Sequence, residues 1–476
     1  MRGWRAAPRR IAAVGLITIA AAGCNNFLDS AAKNPNAPTT ASAQQLFTGI
    51  QVGQYTLIEG IIMHAFLGWT QMLYGSAMFE NAYFTYTIVQ STFDGTWASY
   101  YGGGGLHDLR TLEAIDRAAG DKVFLGIAQI WEAMVMGTVA DIWGDAPYND
   151  VLLGKSKPAF DNQLQIYAHV QALLDTAIAN LTTGTGPGPG TVDFAFAGAP
   201  APWIAVAHTL KARYYMHVAE VDPTGYTNAL AQVGSGISTP IAPFKYAAGA
   251  TGADLVAIHS TASQQQNGWW QFAHLSGFGP YLDSDTLAQF LVFAPNGTAG
   301  MVSATDPRTP VYFPASAGGP GGGVTSFNDD PAYPQPIVTY AENELIWSEA
   351  AFATGDPATA AVHLNNELTA AGIAATYTAG TVSLDSIMTE KSRAMYLQFE
   401  AWNDWKRTCI PAIFPVNTSF SGATGAYVPR RDFYSVTEGT TNTANYKAVA
   451  RFDQTATFRN RNDPGDPPGC PTTVHP

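Results

Sequence analysis

Between Lys122 and Gly144 the chain carries one unbroken helical signature. Val123, Phe124, Ile127, Ile130, Trp131, Met134, Val135 and Val139 recur at i, i+3, i+4 and i+7, the spacing that lines one helical face with large apolar groups. Gly144 and Pro147 stop it. A face this apolar must be covered, and similar segments flank it. Gln44 to Trp69 repeats Leu46, Ile50, Tyr55, Ile58, Ile62 and Phe66 at helical spacing. Leu106 to Ala119 is a helix ended by Gly120, and Leu164 to Leu181 carries the stripe Ile166, Val170, Leu173, Leu174 and Ile178. Trp203 to Val221 is another, and the period returns over 341–371 and 383–408. The expected fold class is therefore mainly α. Antiparallel pairs of such helices can stack as tetratricopeptide-like units, although no clean repeat of about 34 residues is visible.

Between these helices the chain changes character. The stretch 74–101 is crowded with aromatics and interrupted by Asn and Gly. TTGTGPGPGT, 182–191, reads as a linker or exposed loop. Residues 235–335 are rich in Gly, Pro, Ser and Gln, which suits long loops with short helices and small strands. The last stretch of the chain is irregular.

The N-terminus is set apart. Arg2, Arg5, Arg9 and Arg10 precede an apolar run from Ile11 to Ala22. That run is too short to span a bilayer and reads as a secretory signal over residues 1–23. Ala21, Ala22 and Gly23 lead into Cys24, a pattern similar to a bacterial lipobox with Ala21 in place of the more usual Leu. Cys24 is the expected lipidation site, with ordinary signal cleavage as the alternative. Asn25 after it points to the outer membrane. Residues 24–43 form a polar tether and 44–476 a single domain. With no later run of about 18 apolar residues expected to span, the lipid is the expected anchor.

Only 13% of the 476 residues are charged and the net charge is -13, while Gly numbers 46 and Pro 30. Neutral polar groups must therefore carry much of the surface. No basic run follows residue 10, which excludes a nucleic-acid partner. GxSxG, HExxH and CxxC are absent, and the nine His are scattered. Gly154-Lys155-Ser156 mimics the end of a phosphate loop, but Asn149 stands where its first Gly belongs. The Gly102–Gly105 run reads as a turn between helices.

Carboxylates are the one enzymatic option. A glycoside hydrolase needs two of them about 5 to 9.5 Å apart in a cleft. Asp141 and Asp145 flank Trp143, and Glu400 and Asp404 are i, i+4. Asp145 before Ala-Pro suits a turn, and Glu400 and Asp404 lie among Arg393, Lys406 and Arg407, where ion pairing suffices. We assign no catalytic residue, no metal and no cofactor. Asp283, Asp285, Asp329 and Asp330 could hold calcium but read as solvated loop acids.

Seven stretches in order resemble the SusD/RagB family of surface lipoproteins. They are Cys24 after the signal, DIWGDAPY at 141–148, the helix Ile166 to Ile178, WIAVAHTLKARYYMH at 203–217, ATDPR at 304–308, IMTEKSRAMYLQFEAWNDWKRTCIP at 387–411, and YVPRRDFYSV with NTANY at 427–446. Glu400, Trp402, Asp404, Trp405 and Arg407 resemble a divergent branch, and the ending PPGCPTTVHP departs from the family's aromatic close. The resemblance implies four tetratricopeptide-like helix pairs with loops carrying the ligand site. It also implies a SusC-like TonB-dependent outer-membrane barrel as partner, capture of oligosaccharides or of peptides, and no catalytic centre. A surface glycoside hydrolase and a purely structural lid are the rivals. Trp143, Trp203, Trp402 and Trp405 are expected in the core, Pro147 to fix the turn, and Arg308 and Arg430 to cap helices or pair with acids.

A neutral glycan site wants flat aromatic platforms flanked by amides. Two stretches fit. The first, 74–86, offers Tyr74, Phe79, Asn81, Tyr83, Phe84 and Tyr86. The second, 264–281, offers Gln266, Asn267, Trp269, Trp270, Phe278 and Tyr281. Adjacent Trp269 and Trp270 cannot both face one packing surface, so one is expected outside. The alternative is that these rings seal loops onto the scaffold. With Cys24 lipidated, Cys409 and Cys470 remain and are expected to pair in an oxidising compartment.

Overall fold

The computed structural model describes residues 41–72, 82–240, 254–262, 265–269, 271, 307–308, 331–416, 421–422, 425–426 and 428–446. Cys24 and the leader lie outside them. The chain divides into a short N-terminal unit, Met1–Gln45, and a main unit, Leu46–Pro476. In the first, Ser42 and Gln45 cap each other's backbone N–H, at 2.9 and 3.2 Å.

The main unit is helical. Among the described residues the helices are α1 (Ala43–Ile58), whose first three residues belong to the N-terminal unit, α2 (Ile61–Trp69), α3 (Asp94–Tyr101), α4 (Leu106–Ala119), α5 (Lys122–Trp143), α6 (Gln163–Thr183), α7 (Pro200–Met216), α8 (Thr224–Val233), α9 (Tyr340–Ala353), α10 (Pro357–Ala370), α11 (Leu384–Ala394), α12 (Glu400–Thr408) and α13 (Val436–Thr441). Consecutive helices pack as pairs: α4 on α5, α5 on α6, α7 on α8, α9 on α10. This is the expected mainly α, tetratricopeptide-like scaffold. Among the described residues there are also three two-stranded antiparallel ribbons: β1 (Ala146–Pro147) with β2 (Phe160–Asp161), β3 (Leu255–Ala257) with β4 (Gln335–Val338), and β5 (Ser421–Gly422) with β6 (Gly425–Ala426).

Long sequence periods break where caps intervene. Gly60 separates α1 from α2. Asp356 accepts from Thr359 N at 3.0 Å and starts α10 at Pro357. Leu397, at φ 60°, lies in the break between α11 and α12. The helix expected over Trp203 to Val221 ends at Met216, and turns follow it.

α5 is the central element. All its residues except Lys122 and Thr138 are buried. Length and apolarity alone would let it cross a membrane, which corrects the expectation that no segment after the leader could. Its covering by other helices explains the composition instead. Asp121 caps it by accepting from Phe124 N at 3.0 Å, and also accepts from Gly188 N at 3.0 Å. The Gly/Pro stretch 182–191 is therefore a loop folded back onto the start of α5, not a linker. Gly137 lets α7 come close, since a Cβ there would lie 2.2 Å from the Tyr214 ring.

Residues 432–434 are bound to α5 and to its turn. Trp143 Nε1 donates to Phe433 O at 2.8 Å, Asp432 N to Ile142 O at 2.9 Å, and Tyr434 Oη to Asp145 O at 2.7 Å. Trp402 Nε1 donates to Pro429 O at 3.1 Å. Trp143, Trp203, Trp402 and Trp405 are all buried, as expected. Arg308 pairs with Glu390, and Arg430 donates to Lys406 O at 3.0 Å near the end of α12. Cys409 is disulfide-bonded; its partner lies outside the described residues.

Candidate ligand-binding site

Neither carboxylate pair considered for catalysis is set for it. Asp141 and Glu400 close on opposite sides of His217, each 2.8 Å from a ring nitrogen. Asp145 accepts from Gln163 N at 2.9 Å. Asp404 binds Lys391 at 2.9 Å and Arg407 at 2.6 Å. Ion pairing is the observed role of Glu400 and Asp404, but Glu400 takes His217 and Arg213 as partners, not Arg393. Asp141, His217 and Glu400 have donor atoms within 4.8 Å of one another. Hydrogen-bond spacing leaves no room for an ion between them, and the imidazolium fills the place a cation would take. No spacing rule marks this cluster, because its members come from α5, the end of α7 and α12.

Helix α2 organises the loops. His64 on α2 stacks on Trp269, centroids 4.2 Å apart and planes at 16°. Glu59, just before α2, accepts from His259 Nε2 at 2.6 Å and from Gly268 N at 2.5 Å. Asn267 donates through Nδ2 to Tyr333 O at 3.1 Å and accepts at Oδ1 from Trp269 N at 2.9 Å. At the other end of α2, Trp69 Nε1 donates to Tyr83 O at 3.1 Å. Phe66 stacks on Trp402 at 4.2 Å and 9°, which fixes α2 to α12. One short helix thus holds both aromatic stretches. His64 and Trp69 are separated by about 8 Å of helical rise.

This sets the fate of each candidate. Tyr83, Phe84, Tyr86, Asn267 and Trp269 are buried. As placed they are not an exposed platform: Trp269 and Tyr83 are held by α2, Asn267 by Tyr333 O, and the Tyr86 hydroxyl accepts from Val416 N at 3.3 Å. Gln266 is partly exposed, and Gln265 and Thr261 beside it are exposed. Tyr74, Phe79, Asn81, Trp270, Phe278 and Tyr281 lie outside the described residues, as do Asp283, Asp285, Asp329 and Asp330. Sequence reasoning missed Glu59, His64 and His259, which sit among apolar helical or loop residues with no motif to mark them.

On this helical scaffold one helix, α2, clamps two loop segments. The family whose description reads starch-binding, associating with outer membrane, and whose model is SusD-like, matches residues 35–435. The chain belongs to this SusD-like family, whose members bind carbohydrate and are not enzymes. No curated protein matches it. Among solved structures, a chitin-binding SusD homolog from Flavobacterium johnsoniae is similar at 18% identity, over 90% of this chain and 96% of its own, with TM-score 0.64. A SusD-like protein from Bacteroides thetaiotaomicron is similar at 16% identity, over 89% and 97%, with TM-score 0.64. A further chitin-binding protein shares 20% identity over 85% and 95%, with TM-score 0.63. These likenesses show the fold.

Proposed function

We infer that the chain is a cell-surface lipoprotein, anchored through Cys24, that captures neutral oligosaccharides and passes them to a SusC-like TonB-dependent barrel. The observation that carries this reading is the convergence of the two aromatic, amide-rich stretches on α2. Neutral hydroxyl and amide groups, with few charges, suit a neutral glycan. Two structural relatives that bind chitin support the same class of ligand. On this reading Gln266 and Asn81 contact ligand through their amides, and Tyr74, Phe79, Trp270, Phe278 and Tyr281 supply platforms, while the buried rings hold the loops that present them.

The test uses the soluble form beginning after Cys24, titrated calorimetrically with a panel of neutral oligosaccharides. Saturable binding is expected for one class. Replacing Gln265 and Gln266 together by Ala should weaken it roughly 5- to 10-fold, the worth of about one to two hydrogen bonds. Binding to a peptide panel and to no glycan would overturn the reading.

A further inference from the structure

The turn between β1 and β2 carries a tip that the α2 loops do not use. Leu152, Leu153, Gly154, Lys155, Ser156 and Lys157 are all exposed; this is the stretch whose Gly-Lys-Ser mimics a phosphate loop. Leu153, at 69%, is the most exposed large apolar side chain among the described residues, and Leu152 is 47% exposed. Water penalises two neighbouring leucines held out in this way. The loop is nonetheless braced at both feet. Arg110 Nη1 donates to Val151 O at 2.7 Å, and Asp161 Oδ2 accepts from Tyr148 N at 3.0 Å and from Asn149 N at 2.7 Å. On the other side Asn445 Nδ2 donates to Lys157 O at 3.0 Å and Asn442 Nδ2 to Pro158 O at 2.8 Å. Leu152 sits at φ 65°, a left-handed backbone that leucine rarely adopts. The fold thus fixes this loop from α4, β2 and the segment after α13 and leaves its apolar tip outside.

The same tip is basic. Residues 151–158 hold Lys155 and Lys157 and no acid, in a chain of net charge -13. Lys155 Nζ lies 2.6 Å from Asp150 Oδ1, but its side chain is 54% exposed, and so exposed a pair is readily shared with another anion. Leucines flanked by lysines suit a membrane interface. The apolar groups enter the acyl boundary while the ammonium groups, on flexible stems, stay among anionic headgroups. Side chains this exposed stand on a convex surface, which a fluid bilayer accepts without a matching groove.

We propose that residues 152–157 dock the domain on an anionic lipid surface, with Leu152 and Leu153 at the acyl boundary and Lys155 and Lys157 against headgroup phosphates. The proposal builds on the reading of a chain held at a membrane through Cys24: the lipid fixes the start of a polar tether, and the loop fixes which way the domain faces. Its test omits the lipid, so either can fail alone.

The probe is unilamellar vesicles of phosphatidylcholine and phosphatidylglycerol at about two to one, beside vesicles of phosphatidylcholine alone. The soluble form beginning after Cys24, at low ionic strength, should sediment with the anionic vesicles at millimolar lipid and bind the neutral ones about 5- to 30-fold less tightly, the worth of two lysines. Lys155→Gln with Lys157→Gln should weaken binding to the anionic vesicles by the same factor, and Leu152→Ser with Leu153→Ser by about tenfold or more. Melting temperatures should stay unchanged, since these side chains are exposed. Leu153→Cys carrying an environment-sensitive nitrobenzoxadiazole label should shift to the blue on anionic vesicles. The same label on Thr182→Cys, exposed at the far end of α6, should not. No sedimentation at millimolar anionic lipid, equal binding to neutral vesicles, binding that survives loss of both leucines, or an unshifted label on Leu153→Cys would each overturn the proposal. So would sedimentation seen only with vesicles that hold a barrel protein, which would assign the tip to a protein partner.

Discussion

His217 Nε2 lies 2.8 Å from Glu400 Oε2, across 183 residues of sequence. The other ring nitrogen faces Asp141 at 2.8 Å, and all three residues are buried. Burial by itself would lower the imidazole pKa, but Asp141 and Glu400 reverse this and hold it at about 9. Burial would likewise raise the Glu400 carboxyl, but Arg213 and His217 hold it far below the usual range. The cluster therefore works as a charged clasp joining α5, α7 and α12.

The clasp gives a pH dependence with a definite sign. The folded pKa of about 9 exceeds the unfolded value of about 6.5. Its stabilisation is fully present below about pH 6.5 and is lost as pH rises through 9. Thermal melting from pH 6.5 to 9.5 should show the wild type losing about 3 kcal/mol that a His217→Gln variant lacks. At pH 6 that variant should be destabilised by about 3 kcal/mol, since Asp141 and Glu400 lose the cation they share while Glu400 keeps Arg213.

Trp269→Ala should unfold the loop anchor. The ring is fully buried against His64, and removing a buried Trp costs about 3 to 5 kcal/mol. The melting temperature should fall markedly. An unchanged melting temperature would mean that the ring is not packed as described.

Gly137→Ala sets two effects against each other. Helix propensity favours Ala over Gly by about 1 kcal/mol. The new Cβ would lie 2.2 Å from Tyr214, and overpacking of this kind costs about 1 to 3 kcal/mol. Overpacking should win, and chemical denaturation should show net destabilisation.

Cys24→Ala should release the protein from the membrane fraction into the soluble periplasmic fraction. Continued membrane fractionation in cells lacking any barrel partner would argue against a lipid anchor at Cys24.

Much of the scaffold was legible because α4, α5 and α6 carry their own periods and stops: Gly120 takes a left-handed φ of 72° where the sequence ends a helix. The break at 354–356 was marked by Thr354, Gly355, Asp356 and Pro357 but passed over because helical periodicity resumes beyond it, while that at 395–399 was not legible, since Met395, Tyr396, Leu397 and Phe399 carry the apolar pattern through it. The site was read less well. Trp269 and Tyr83 are aromatic and loop-borne, which fits a ligand platform as well as a buried anchor. Only the placement of His64 and Trp69 on α2 separates the two.

The central claim is that loops held by α2 grip a glycan. Hydrogen exchange measured by mass spectrometry, with and without a bound neutral oligosaccharide, tests it directly. Ligand should slow exchange in the peptides covering 74–90 and 255–281 and should be recovered uncleaved. Protection confined to other segments, or oligosaccharide recovered as shorter products, would contradict the account.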